Sequence, residues 1–416
     1  MRLSAGEART PVTSVDPIAE FYTRHPYPPP VENLDRARDE WRDPNRARAE
    51  YHLFWPQKPF RADLDILIAG CGTWQAAKYA LCRPDARVVG IDVSPTSLDH
   101  TRRLVEKYRL TNLETHQLSV ETVDTLGRQF DLIVCTGVLH HLADPDAGLR
   151  ALRSALKPDG AIYLMLYAPF GRAGIYMVQD YCRRLGLGTS EQEIADLMAA
   201  LKALPHQHPL AAVLRGSRDT GNADAIADAL LNPRDRSYSV PQVIDFLERN
   251  GLQFERWYWQ APYLPQCGAI ATTPHAARLS DLPAREQFAA LELWRGTMSA
   301  HSLVAHRSET GESRRAFRFD PDRSSEYVPL RLPSTLCLQE RLPAGAAAVV
   351  LNRSHPYPDL ILALNSQEKR MFDAIDGRRT VKQIIDYTNG PVSTACVLFQ
   401  NLWWYDQVTF AASGLG

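Results

Sequence analysis

No two of the seven cysteines (Cys71, Cys82, Cys135, Cys182, Cys267, Cys337 and Cys396) stand close enough to form a CxxC pair. That scatter argues against a zinc cage or a disulfide framework, and no metal site is expected. No apolar run approaches the roughly 18 residues of a membrane span, so no membrane partner is expected. The opening stretch MRLSAGEARTPVTSVDP lacks the apolar core of a signal peptide, which makes the cytoplasm the expected compartment. A surplus of charge is missing too: 47 Lys and Arg against 48 Asp and Glu leave a formal net charge of −1. A dedicated nucleic-acid binder needs a basic excess or stripe, so no nucleic-acid partner is expected.

What is present is a globular composition, 45% hydrophobic and 23% charged, spread over 416 residues. That length exceeds one ordinary core and predicts two or three folding units. Residues 1–60 are polar, aromatic and rich in proline, with FYTRHPYPPP at 21–30 and YHLFWP at 51–56. They read as an arm that packs on a neighbouring domain or closes over a pocket. From about 64 to 167, short apolar runs alternate with helical patterns, the signature of a parallel sheet. LDILIAG (64–70), RVVGIDV (87–93), LETHQLS (113–119), FDLIVCTG (130–137) and AIYLMLYA (161–168) are the strands. Ser94 caps a helix over 94–108, and a further helix over 146–157 is stopped by Pro158 and Gly160. Residues 171–250 carry helical periodicity almost throughout, with a capping sequence at Thr189–Gln192, and read as a cap inserted after the fifth strand. QFERWYWQ (253–260) and HSLVAHR (301–307) supply two last strands. A charged linker at 308–326 leads to a C-terminal unit, 327–416. Its pattern is three short helices, starting near Ser366, Thr380 and residue 393, and a closing strand QVTFA (407–411), which describes a winged-helix-like α+β domain.

The chemistry concentrates in AGCGTWQAA (69–77), a glycine turn between the first strand and the first helix. Such a turn lets backbone approach a ligand and offers free N–H groups, although glycine serves any strand-to-helix turn. Asp92 ends the second strand about 20 residues later, where a carboxylate can accept both hydroxyls of a ribose. An aspartate there is also a common helix cap; its spacing from the glycines favours the ligand.

The glycine turn, the acidic residue, FDLIVCTGVLHHL (130–142) and LKPDG (156–160) follow one another over about 110 residues. In that order and spacing the chain resembles class I S-adenosylmethionine-dependent methyltransferases, especially the small-molecule branch that includes the ubiquinone and menaquinone enzymes. The resemblance implies an α/β fold for 61–307: a Rossmann-like seven-stranded sheet with the helical cap as its insertion. It implies S-adenosyl-L-methionine as cofactor. Ala69, Gly70, Cys71 and Gly72 would then line its methionine end, Asp92 its ribose, Val93 the adenine face, and Ser119, Val120 and Glu121 the adenine edge. Thr136 and Gly137 would form the floor beneath the sulfonium. Two positions depart from the family: Ile68 stands where an acidic residue is common, and Trp74 replaces a third glycine, leaving Gln75 as a substitute polar contact.

His140 and His141 follow the fourth strand at the open mouth of the sheet, so either can serve as general base or simply shape the turn. Tyr22, Tyr27, Tyr167, Arg172 and Tyr176 are the substrate-binding candidates: rings for a planar or cationic group, Arg172 for a carboxylate or phosphate. Residues 360–411 are similar to small winged-helix peptide-binding domains attached to peptide-modifying enzymes, through LN before the first helix and DGRRTVKQI between helices. That similarity implies a peptide or protein partner; a packing or dimerising appendage, giving a homodimer, is the alternative. The expected activity is methyl transfer to an oxygen or nitrogen of a small molecule in specialised metabolism. The rivals are a methyltransferase for a recruited peptide and a cofactor-binding scaffold without turnover.

Overall fold

The computed structural model describes residues 16–216, 221–308 and 317–412. The first fifteen residues of the expected arm and residues 309–316 of the expected linker lie outside the described residues. Seven strands build one α/β sheet: β1 (Asp65–Ala69), β2 (Arg87–Asp92), β3 (Leu113–Gln117), β4 (Phe130–Thr136), β5 (Leu156–Tyr167), β6 (Leu252–Trp257) and β7 (Ala300–Arg307). Their order is β3-β2-β1-β4-β5-β7-β6. β1 to β5 run parallel, whereas β7 enters between β5 and β6 antiparallel to both. β5 starts at Leu156, ahead of the expected Ala161, because Leu156 pairs with Phe130 before a bulge.

The arm is helical: α1 (Pro17–Arg24), α2 (Asp35–Glu40) and α3 (Pro44–Phe54). Asp16 and Asp43 cap α1 and α3, each followed by proline, a residue pre-shaped for the first helical position. Helices α4 (Gln75–Cys82), α5 (Pro95–Tyr108) and α6 (Pro145–Ala155) join the parallel strands. Alternate residues of β1 then serve two cores. Leu67 and Ala69 belong with α6, while Ile66 and Ile68 belong with α3, α4 and α5. Ile68 is wholly buried there, a place for a hydrocarbon rather than a carboxylate.

The cap consists of α7 (Ala173–Leu185), α8 (Glu191–Leu201), α9 (Pro209–Gly216) and α10 (Ala223–Leu231). Ser190 and Glu193 make the capping box of α8, one residue beyond the expected start. α11 (Val240–Arg249) falls inside the expected cap, yet Val243, Phe246 and Leu247 pack on the sheet with β4 and β5. Two helices, α12 (Ala276–Ser280) and α13 (Ala284–Arg295), fill the connection from β6 to β7. No described helix is long and apolar enough to cross a membrane.

The C-terminal unit holds more strands than its sequence pattern shows. β8 (Val328–Arg331), β9 (Thr335–Leu338), β10 (Ala348–Asn352) and β11 (Ile361–Leu364) precede the helices α14 (Ser366–Asp373), α15 (Val381–Thr388) and α16 (Val392–Trp404) and the strand β12 (Val408–Ala411). β12 pairs antiparallel with β8, and β9, β10 and β11 form a separate three-stranded sheet. Phe319, expected in the linker, is buried in the core of this unit. The unit is packed on the seven-stranded sheet rather than hung from it. Leu330 and Leu332 join the buried cluster of β1, β4 and α3. The Thr409 hydroxyl donates to the His52 carbonyl at 3.2 Å, and Ala412 N donates to the Pro56 carbonyl at 2.7 Å.

Candidate functional site

At the C-terminal edge of β1, Gly70 (φ 71°) and Gly72 (φ 55°) take left-handed backbone. A side chain at either would be strained, and a Cβ on Gly70 would stand 2.3 Å from Val138 Cγ2. The amides of Gly70 and Cys71 both donate to the Ile91 carbonyl at 2.9 Å, which ties the turn to β2. Asp92 locks the arrangement. One carboxylate oxygen accepts the Gly72 amide at 2.8 Å and the other accepts the Ser94 amide at 2.9 Å. Burial pushes its carboxyl pKa up, and those amides oppose the shift. Each oxygen keeps lone-pair capacity for a hydroxyl of a ligand.

Across the mouth, Gln75 Nε2 donates to the Thr136 hydroxyl at 3.1 Å, joining the start of α4 to the end of β4. Gly137 (φ 76°) follows, and its amide donates to the Met165 carbonyl. These elements enclose a cavity of about 300 Å³. Gly70, Cys71, Gly72, Gln75, Asp92 and Val93 line one side; Ser119, Val120, Thr136 and Gly137 line the rest of the cofactor half. Trp74 lines it as well, with the glycine turn intact beneath it. Ala69 is corrected to a support: it is fully buried at the strand end, inside the core. Glu121 is likewise off the wall, its carboxylate accepting the Ser119 hydroxyl at 2.8 Å.

The arm roofs this cavity. The Thr73 hydroxyl donates to the Pro28 carbonyl at 2.7 Å, and the Ser94 and Thr96 hydroxyls donate to the carbonyls of Tyr22 and Thr23. On its other flank the Tyr22 hydroxyl donates to Asp228 of α10 at 2.8 Å. Tyr22, Tyr27 and Tyr167 therefore all face the cavity. Arg172 and Tyr176 do not. Arg172 is committed to Asp235 at 2.8 Å, lies 3.5 Å over the Tyr167 ring, and donates to the Tyr176 hydroxyl at 3.1 Å. An arginine so buried and paired is not free to meet an anion, which corrects that expectation; Arg172 lines a smaller cavity under the cap, and Tyr176 lines neither.

The two histidines part company. His140 is fully buried behind the wall, its ring 4.0 Å from that of Tyr167, with no partner on either nitrogen among the described residues. Burial, reinforced by His141 and Arg172, lowers its pKa well below the ordinary value, so it stays neutral and shapes the turn. His141 lines the cavity. Its Nδ1 stands 2.6 Å from the Arg234 carbonyl, and a carbonyl only accepts. The proton therefore sits on Nδ1, and Nε2, buried and without a partner among the described residues, carries the lone pair. Arg234 and Asp228 were not legible as site residues, since each belongs to the cap and reaches His141 or Tyr22 only through the fold.

Glycines that leave room for a ligand, a doubly held aspartate at ribose spacing and a wall at Thr136 and Gly137 fit S-adenosylmethionine. Comparison with known proteins agrees. Residues 67–162 match the family described as a methyltransferase domain. A cyanobacterial relative from Synechococcus sp., of uncharacterised function, is 29% identical over 272 residues, covering 61% of this chain and 63% of its own. A ubiquinone biosynthesis O-methyltransferase from Actinobacillus pleuropneumoniae is 27% identical over 149 residues, covering 32% of this chain and 62% of its own. The chain thus spans a little under two thirds of the length of these curated relatives. Among solved structures, PKMT2 from Rickettsia typhi superposes with a TM-score of 0.64 at 15% identity, over 92% of this chain and 77% of its own. The same protein in complex with AdoHcy gives a TM-score of 0.62 at 14% identity, over 89% of this chain and 76% of its own. Residues 67–162 thus match a methyltransferase domain, and the chain built around them has the α/β methyltransferase fold.

Proposed function

We propose that the chain transfers a methyl group from S-adenosylmethionine to an oxygen or nitrogen atom of a small molecule. One observation carries this reading: a single roofed cavity joins the cofactor walls at Gly70, Asp92 and Ser119 to an aromatic and basic wall at Tyr22, Tyr27, Tyr167 and His141. S-adenosylmethionine supplies an electrophilic methyl group on a sulfonium. Asp92 would hold the ribose hydroxyls, Val93 and Val120 would flank the adenine, and Thr136 and Gly137 would face the sulfonium. Tyr27 and Tyr167 orient the acceptor, and positioning of this kind supplies much of the rate of an in-line displacement. His141 Nε2 accepts the proton that the acceptor atom gives up as it bonds to carbon, and the Arg234 carbonyl steadies the resulting imidazolium through Nδ1–H.

The test couples binding to turnover. S-adenosylhomocysteine should bind in calorimetry while NAD does not. Release of S-adenosylhomocysteine should then appear with some member of a panel of phenols, carboxylates and amines. Binding without release across the panel would leave the chain as a cofactor-holding scaffold. Asp92→Ala should weaken cofactor binding by about 1.5–3 kcal/mol, the contribution of hydrogen bonds to a charged group. A melting curve on the same sample separates that loss from loosening of the two turns Asp92 ties together. Unchanged affinity in a folded Asp92→Ala chain would remove the residue from the site.

A further inference from the structure

A second cavity lies under the cap and shares two walls, Tyr27 and Tyr167, with the cofactor cavity. Its volume is about 140 Å³. The body of it is hydrocarbon: Ile175 from α7, Leu210, Val213 and Leu214 from α9, and Ile226 and Leu230 from α10. Three helices are held in register around it. Gly174 lets α7 touch α9, for a Cβ there would stand 2.2 Å from the Leu210 amide nitrogen. Both charged groups on the rim are already answered within the chain: Arg172 by Asp235, and Asp228 by the Tyr22 hydroxyl. A guest therefore finds mostly apolar walls, with the arginine already paired and the carboxylate already accepting a hydroxyl.

From this we infer that the cap cavity is the acceptor's second subsite, and that it takes a neutral apolar group of about the size of a benzene ring. The inference rests on the proposed reaction and names its substrate class: an acceptor whose reactive oxygen or nitrogen lies by His141 and whose other end is an aryl or short alkyl group. Size supports the assignment, since a cavity of roughly 150 Å³ has room for a benzene ring. So does continuity. Tyr27 and Tyr167 line both cavities, so an acceptor lying along them has one end beside each.

The probe is a series of 4-n-alkylphenols, from phenol to 4-hexylphenol, titrated into the full chain saturated with S-adenosylhomocysteine. Each added methylene should tighten binding about fourfold, the equivalent of roughly 0.8 kcal/mol, until the cavity is full and the gain stops. Ala229→Phe, which places a ring in the cavity from α10, should flatten that dependence and leave the affinity for S-adenosylhomocysteine unchanged. Val213→Phe does the same from α9 and covers the case in which the first variant fails to fold. Affinity independent of chain length in the unaltered protein, or an equal slope in a folded filled variant, overturns the inference. S-adenosylhomocysteine binding is measured separately: its failure counts against the proposed reaction, and the chain-length slope, read with or without it, decides the cavity.

Discussion

A chain ending at residue 308 is expected to lose cooperative melting and to expose enough apolar surface to aggregate. The reason is the cluster that Leu330 and Leu332 share with Ile66, Ile68, Leu132 and Val134 of the sheet and with Leu53 and Phe54 of α3. Each of the two leucines is essentially fully buried, and burial of such a side chain contributes about 1.5–3 kcal/mol. Their loss alone approaches the lower end of the roughly 5–15 kcal/mol that holds a whole domain together. Removal of β8 and β12 also leaves the α3 side of the core facing water, and takes away the hydrogen bonds to His52 and Pro56. Differential scanning calorimetry of the truncated and full chains decides the matter. A sharp transition within a few degrees of the full-length value would show the C-terminal unit to be dispensable to the fold, and an effect on turnover could then be assigned to recruitment of an acceptor.

His141→Gln is expected to lower kcat by about a hundredfold to ten-thousandfold, the usual contribution of a general base. Glutamine suits the test because its amide can still donate to the Arg234 carbonyl, so the turn keeps its clamp and only the basic nitrogen is lost. Affinity for S-adenosylhomocysteine should stay within about twofold of the parent, and KM should change little, since an interaction used only in the transition state leaves binding alone. His140→Gln is the control. That side chain does not reach the cavity, so its change should register in the melting temperature rather than in kcat. A His141→Gln chain that turns over at the parent rate would mean that the acceptor arrives already ionised, and would reduce His141 to a wall.

The sheet between residues 64 and 167 was legible because its signals are local. A buried parallel strand is a short apolar run, its neighbour helix opens at Ser94 or Asp144, and glycines mark the turns. Elements whose identity depends on distant partners were not. β8 is four residues long, contains Pro329, and becomes a strand by pairing with Val408–Ala411. α3 begins with PNRARAE and shows little apolar pattern, yet it ends wedged between the sheet and the C-terminal unit. The site divides the same way. Glycine turn and Asp92 stand at a spacing that chemistry explains. Arg172 looked like a free cation because nothing in its neighbourhood announces Asp235, 63 residues further on. Adjacent histidines cannot be told apart by sequence, since a turn sends neighbouring side chains in different directions and only the fold decides which one meets the cavity.

A roof fastened on both flanks imposes a timetable. Pro28 and the Tyr27 carbonyl lie against Gly72, over the cofactor end, while the same segment supplies Tyr22 and Tyr27 to the acceptor end. Under the proposed reaction, lifting the arm to exchange the cofactor would dismantle the acceptor's walls. Acceptor binding is then expected to follow cofactor binding, and the methylated product to depart no later than the spent cofactor. The kinetic mechanism expected is compulsory order, first in and last out. S-adenosylhomocysteine should inhibit competitively against S-adenosylmethionine and non-competitively against the acceptor. An acceptor that binds the cofactor-free chain as tightly as the chain holding S-adenosylhomocysteine would mean that the two ends fill independently, with the arm at rest throughout.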